Sequence, residues 1–263
     1  MTWRRGREEG SGTTDSSGAG SPDVRANLAE VRERIARAAR KAGRTPESVR
    51  LVAVAKGVPV GLVREAVQAG ITDLGENRVQ EGVAKREALA ESPTHLRWHL
   101  VGHLQTNKAG RAAANFDLIH SVDSLRVAAA LSAAVGRLRD GPHPAGARCA
   151  TVEVLLQVNL AGEETKFGVA PDAAAGLLRV VAGLPGLGVR GLMTIAPFSA
   201  EPEESRPVFR KLMALARELA GLRLAGVSLD LLSMGMSQDY EVAVAEGANL
   251  VRVGTAIFGP RGG

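Results

Sequence analysis

The chain is poor in aromatic residues, which make up 3% of 263 residues, with a single tyrosine, Tyr240. Its core must therefore be built from Ala, Val and Leu. Cys149 is the only cysteine, which excludes an intrachain disulfide and a cysteine metal cluster and fits a reducing, cytoplasmic setting. No apolar run approaches the length of a membrane span, and the N-terminus has no apolar core of a signal peptide. There is no Lys/Arg run and no aromatic interleaving of the kind that single-strand binding uses, so nucleic acid is not an expected partner. The formal charge of +5 suits attraction of a small anion instead. His95 and His99 stand four apart but flank a strand-like run without acidic company, which does not read as a metal site. No serine sits in a nucleophile elbow.

What is present is a regular alternation. Residues 1–21 are Gly, Ser, Thr and charges and read as a disordered tail, because they cannot bury apolar area to offset their ordering entropy. From Pro22 to Gly263 one domain is expected. It opens with a helix at Ser21-Pro22-Asp23 that Gly43 ends. Strand-like runs follow at Leu51–Ala55, Ile71–Gly75, Leu96–Gly102, Asp117–Val122, Thr151–Asn159, Val189–Ile195, Val227–Ser233 and Leu250–Gly254. Between them lie helical stretches, among them Gln105–Ala114, Leu125–Leu138 capped by Asp123, Pro202–Ala220 and Gln238–Glu246, and a loop at Gly141–Gly146. Strands alternating with helices imply parallel pairing, and eight of them can close into an α/β (β/α)8 TIM barrel with the first helix over the seam. The competing open doubly wound sheet usually carries a Gly-rich first turn, and Lys56-Gly57-Val58-Pro59 is not one.

In a barrel, chemistry gathers at the strand C-termini. Those positions give Lys56, Glu76-Asn77, Gly102-His103, Ser121, Asn159, Met193-Thr194, Ser233-Met234-Gly235 and Arg252-Val253-Gly254-Thr255. Lys56 ends an apolar strand and is either a nucleophilic amine or a lysine that reaches water along its stem. Ser233-Met234-Gly235-Met236-Ser237 and Gly254-Thr255-Ala256 are small-residue turns that can present donors to a phosphate, or are tight turns and no more. Arg252, two before Gly254, pairs with a phosphate, with a ring atom deeper in, or with a carboxylate such as Glu76. A lysine beside a phosphate pocket forms a Schiff base with an aldehyde, which leaves a sugar phosphate and pyridoxal 5′-phosphate open.

Five stretches resemble a known family: Val54-Ala55-Lys56, Gly75-Glu76-Asn77-Arg78-Val79-Gln80-Glu81, Trp98 to Lys108, Ser233-Met234-Gly235-Met236-Ser237-Gln238-Asp239 and Arg252 to Gly259. The likeness, running from about Asp23 to Arg261, is to the pyridoxal phosphate homeostasis proteins. It implies a single barrel resembling the N-terminal domain of alanine racemase, without the racemase's second, β domain. It also implies pyridoxal 5′-phosphate (PLP) held as a Schiff base on Lys56. Ser233, Ser237, Gly254 and Thr255 would grip the phosphate, Arg252 would face the pyridine nitrogen, and Asn77 and Met193 would line the ring pocket. An arginine there leaves the ring nitrogen unprotonated and restrains carbanion chemistry. The expected role is vitamin B6 homeostasis without robust catalysis, with PLP-dependent apoenzymes as recipients and a monomer favoured. The alternative is an amino-acid racemase, which needs an acid/base on each face of the substrate carbon; Tyr240 is the only tyrosine to offer. Arg78 departs from the family, which often has Tyr there, as do Ala55 and Gly57 beside the lysine.

Overall fold

A computed structural model describes residues 22–141, 151–163 and 166–260. The expected tail at 1–21, most of the loop expected at 141–146, and Cys149 lie outside the described residues. Eight parallel strands close into a barrel in chain order: β1 (Arg50–Val54), β2 (Asp73–Glu76), β3 (Arg97–Leu100), β4 (Leu118–Val122), β5 (Val152–Gln157), β6 (Leu187–Met193), β7 (Val227–Ser233) and β8 (Leu250–Val253). β8 pairs back onto β1, with Val52 opposite Arg252 and Ala53 opposite Val253. Alternation of strand and helix thus delivers the closed α/β barrel and not the open sheet.

α1 (Val24–Lys41) starts where the Asp23 carboxylate accepts from Ala26 N–H at 2.9 Å, and its stripe of Val24, Leu28, Val31, Ile35 and Ala39 is buried. Val24, Leu28, Val31 and Ile35 each contribute about 1.5–3 kcal/mol on full burial. The stripe packs α1 over the β8–β1 seam, against the helices that flank it, and Asn27 donates to the Ile257 carbonyl at 2.9 Å. α2 (Val60–Gln68), α3 (Val79–Ala88), α4 (Ala109–Asn115), α5 (Leu125–Asp140), α6 (Ala174–Ala182), α7 (Arg206–Ala220), α8 (Tyr240–Ala245) and the short α9 (Thr255–Phe258) complete the ring.

One cap and several boundaries differ from the sequence reading for identifiable reasons. Ser124, not Asp123, caps α5 by accepting from Val127 N–H at 3.5 Å; Asp123 faces His103 instead. The helices expected from Gln105 and from Pro202 begin as 3-10 turns, Thr106–Lys108 and Pro202–Ser205. The helix expected from Gln238 begins at Tyr240, because Asp239 accepts from Met236 N–H at 2.6 Å and holds residues 236–239 as a turn. No described helix is long and apolar enough to cross a membrane.

The barrel interior holds two kinds of layer. Val52, Leu118, Leu155, Met193 and Leu250 form an apolar cluster from five strands. Beside it lie buried polar side chains: Asp73, His99, His120, Ser233 and Arg252.

Candidate functional site at the strand C-termini

A cavity of about 430 Å³ opens at the C-terminal ends of β1, β2, β7 and β8, within the size range of small-ligand sites. Larger hollows of about 720 and 810 Å³ lie at the opposite ends of the strands. The first is lined by charges already paired, Arg97 and Arg190 with Glu153. In a barrel of this kind the C-terminal face is where loops bring reactive groups together, so the smaller cavity is the candidate site.

Six of the residues singled out from the sequence line it together: Lys56, Asn77, Ser237, Arg252, Gly254 and Thr255. Val54, Val101, Ile195, Phe198 and Met236 supply apolar wall. Lys56 comes at the turn after β1, where Gly57 takes φ +67°, a conformation glycine adopts without a Cβ penalty. Among the described residues Lys56 makes no hydrogen bond or ion pair, so its amine is uncommitted. The turn is fixed from behind. Lys85 of α3, almost fully buried, donates to the Ala55 carbonyl at 2.5 Å and to Glu76 Oε1 at 2.6 Å. Burial raises the Glu76 carboxyl, and the hydrogen bond and charge of Lys85 oppose that rise.

The two small-residue turns meet. Ser237 Oγ accepts from Gly254 N–H at 3.2 Å and from Ala256 N–H at 3.4 Å, which leaves its own hydroxyl hydrogen for a ligand. Gly235 takes φ +89°; a Cβ there would stand 2.5 Å from Ala243 Cβ and 2.9 Å from Tyr240 Cα, so the turn requires glycine. Arg252 is 5% exposed, and burial pushes its guanidinium down to about 10, still cationic near neutrality. It does not pair with Glu76. Instead Nη1 donates to Ser233 Oγ at 2.6 Å and Nη2 to the Thr194 carbonyl at 3.0 Å.

Ser233 and Met193 are not brought into the cavity. Each is the last residue of its strand, yet its side chain points into the barrel: Met193 joins the apolar cluster, and Ser233 Oγ lies between Arg252 and His120. Tyr240 is also elsewhere. It is buried in the core, with the Arg34 guanidinium 5.5 Å over its ring. His103 stacks on Phe167 with ring centroids 3.7 Å apart and faces Asp123 at 3.5 Å. Among the described residues no cluster of His, Cys, Asp and Glu could hold a metal ion.

Sequence reading missed Lys85, hidden in a charged helix, and the buried pair His99 and His120. The latter had a signal: His120-Ser121 interrupts an apolar strand, and a polar residue on a buried strand needs a partner.

An uncommitted amine, a buried cation and two joined hydroxyl-bearing turns around one cavity suit an anionic aldehyde. Comparison with known proteins agrees with that chemistry. The family described as alanine racemase, N-terminal domain, matches residues 26–262. The pyridoxal phosphate homeostasis protein of Pseudomonas aeruginosa is 43% identical over 235 residues, spanning 89% of this chain and 94% of that one. Its Escherichia coli K12 counterpart is 42% identical over 240 residues, spanning 91% and 97%. The structure of PipY from Synechococcus elongatus PCC7942 with PLP bound superposes with a TM-score of 0.76 at 38% identity, covering 90% of this chain and 100% of that one. Alanine racemase of Clostridium difficile 630 shares the fold, with a TM-score of 0.65 at 17% identity, covering 92% of this chain but 60% of the racemase. The chain therefore belongs to the alanine racemase N-terminal domain family and, within it, to the pyridoxal phosphate homeostasis proteins.

Proposed function

We propose that this protein binds PLP in the C-terminal cavity and serves intracellular PLP homeostasis without robust catalysis. The observation that carries this is the convergence of Lys56, Arg252, Ser237, Gly254 and Thr255 on one cavity. The fit is chemical as well as spatial. With PLP bound, the Lys56 amine would hold the aldehyde, Ser237 and Thr255 would offer hydroxyl donors to the phosphate, and Arg252 would present N–H groups to the ring nitrogen. Asn77, Val54 and Val101 shape the wall beside the ring. When bound, PLP supplies an electron sink. Arg252 weakens that sink, because a guanidinium shares a hydrogen bond with the ring nitrogen but does not surrender its proton.

Racemisation requires a second acid/base across the substrate carbon. The single tyrosine of the chain is in the core under Arg34 and not in the cavity, which supports the non-catalytic reading. Delivery of PLP to apoenzymes is the corresponding role for a protein that holds the cofactor reversibly.

The test is borohydride reduction of the purified protein followed by peptide mass mapping. A pyridoxyl adduct on Lys56, lost together with the visible absorption in Lys56→Ala, is expected. An adduct-free Lys56 would overturn the assignment. Measurable racemase turnover would overturn the non-catalytic part alone.

A further inference from the structure

The buried polar side chains inside the barrel form a continuous line. Arg252 Nη1 donates to Ser233 Oγ at 2.6 Å, Ser233 Oγ meets His120 Nδ1 at 2.8 Å, His120 Nε2 meets His99 Nδ1 at 3.0 Å, and His99 Nε2 meets Asp73 Oδ1 at 2.9 Å. The line crosses from β8 through β7, β4 and β3 to β2. Asp73 lies at the N-terminal end of β2, on the hollow at the opposite face of the barrel from the candidate site.

The carboxylate end and the neutrality of the two rings together fix the direction of every hydrogen bond in the line. A guanidinium has only donors, and an ionised carboxylate only acceptors. Asp73 stays ionised: burial works to raise its pKa, but the hydrogen bonds from His99 and the Thr72 hydroxyl and the charge of Arg50 hold it below the usual value. Ser233 Oγ accepts from Arg252 and keeps a second lone pair, so the order is set from the carboxylate end: His99 donates its Nε2–H to Asp73 and, as a neutral ring, accepts on Nδ1. His120 must then carry its proton on Nε2 and donate to His99 Nδ1. A neutral His120 in turn accepts the Ser233 hydroxyl hydrogen on Nδ1. Each imidazole uses one nitrogen as acceptor and one as donor, which only the neutral ring allows. Burial lowers the pKa of both histidines, in keeping with that state.

We propose that Asp73, His99, His120 and Ser233 are positioning residues, a one-directional relay that orients the Arg252 guanidinium toward the ring nitrogen of the bound ligand. This rests on the PLP reading of the cavity. Ser233 and the Thr194 carbonyl take one N–H from each terminal nitrogen of Arg252 and so set the plane of the fork. The remaining N–H groups are those available to the cavity. Aligned hydrogen bonds between a cation and an anion polarise one another, so the acceptor at Asp73 bears on Arg252 without touching the ligand. Ser233 thereby acts on the ring end of the ligand, through Arg252, and not on the phosphate.

The experiment uses the full chain labelled with 15N, with imidazole nitrogen shifts read near neutral pH, and PLP affinity measured by fluorescence. Both His99 and His120 are expected as neutral rings protonated on Nε2. Asp73→Ala removes the last acceptor; it should scramble the His99 tautomer and weaken PLP binding about tenfold, the scale of one lost hydrogen bond. Asp73→Asn keeps an acceptor oxygen and should restore both. Ser233→Ala should weaken PLP about tenfold while leaving competition by inorganic phosphate unchanged, and it carries the test if Asp73→Ala does not fold. Wild-type rings that are charged or protonated on Nδ1 overturn the relay, as does full PLP affinity in Asp73→Ala. Weakened phosphate competition in Ser233→Ala overturns it in favour of a phosphate grip. A wild-type chain that takes up no PLP, with ordered tautomers, overturns the cofactor reading while the hydrogen-bond order stands.

Discussion

Lys85→Met leaves Glu76 behind in the barrel wall without its cation. Glu76 is fully buried, its Oε1 accepts from Lys85 at 2.6 Å, and its Oε2 has no hydrogen-bond partner among the described residues. Methionine matches the lysine stem in length, so the packing change is small and the loss is electrostatic. Removing one partner of a buried pair costs about 3–5 kcal/mol. The pH dependence has a definite sign. Burial already raises the Glu76 carboxyl above its unfolded value, and removing Lys85 removes the main opposing influence. A carboxyl with a raised folded pKa favours the folded state at low pH, and that benefit is lost as pH rises through the folded value. The deficit of Lys85→Met relative to wild type should therefore be largest near pH 8 and shrink toward pH 5, as Glu76 takes up a proton. Urea unfolding of both chains across that range measures it. Because other titrating groups are common to both chains, the difference isolates this pair. Glu76→Gln in the Lys85→Met background should recover most of the loss near pH 8. A cost below about 1 kcal/mol near pH 8, or a deficit that grows on acidification, would refute the reasoning.

Three further outcomes are expected. Gly235→Ala forces a Cβ to 2.5 Å from Ala243 Cβ at φ +89°, and should cost at least about 2 kcal/mol by urea unfolding, with loss of ligand binding as the turn moves. Ser124→Ala removes the α5 cap and should cost about 1 kcal/mol, with ligand affinity unchanged. Wild-type stability should fall as pH drops through about 6.5, where the unfolded chain protonates histidines that His99 and His120 keep neutral when folded. The limiting slope for two such groups is about 2.7 kcal/mol per pH unit; a flat profile between pH 7 and 5 would count against two buried neutral rings.

The barrel was legible because local pattern and global fold agree. β7 falls at Val227–Ser233 as read, and the buried stripe of α1 is visible as helical spacing. The start of α8 slipped because a side chain, Asp239, and not propensity, decides the turn, whereas α5 starts at Leu125 as read, with Ser124 and not Asp123 as its cap. Six positions named from the sequence line the candidate cavity because strand C-termini are where a barrel puts its chemistry. Ser233 and Met193 were not placed, since a strand's last residue can point up into the cavity or inward, and sequence position alone does not distinguish them. The interior polar line showed only its local signal at His120, for a different reason. His120 and Ser233 lie 113 residues apart, and no local periodicity encodes a contact across a closed barrel.

The β8–β1 seam has a consequence for the order of assembly during synthesis. Lys56 leaves the ribosome early, whereas Arg252, Gly254 and Thr255 emerge almost 200 residues later, and the two groups become neighbours only when β8 pairs with β1. A nascent chain lacking its last strand has the amine but neither the cation nor the second turn. The cavity is thus a product of closure, and loading of ligand reports that the whole barrel has been made.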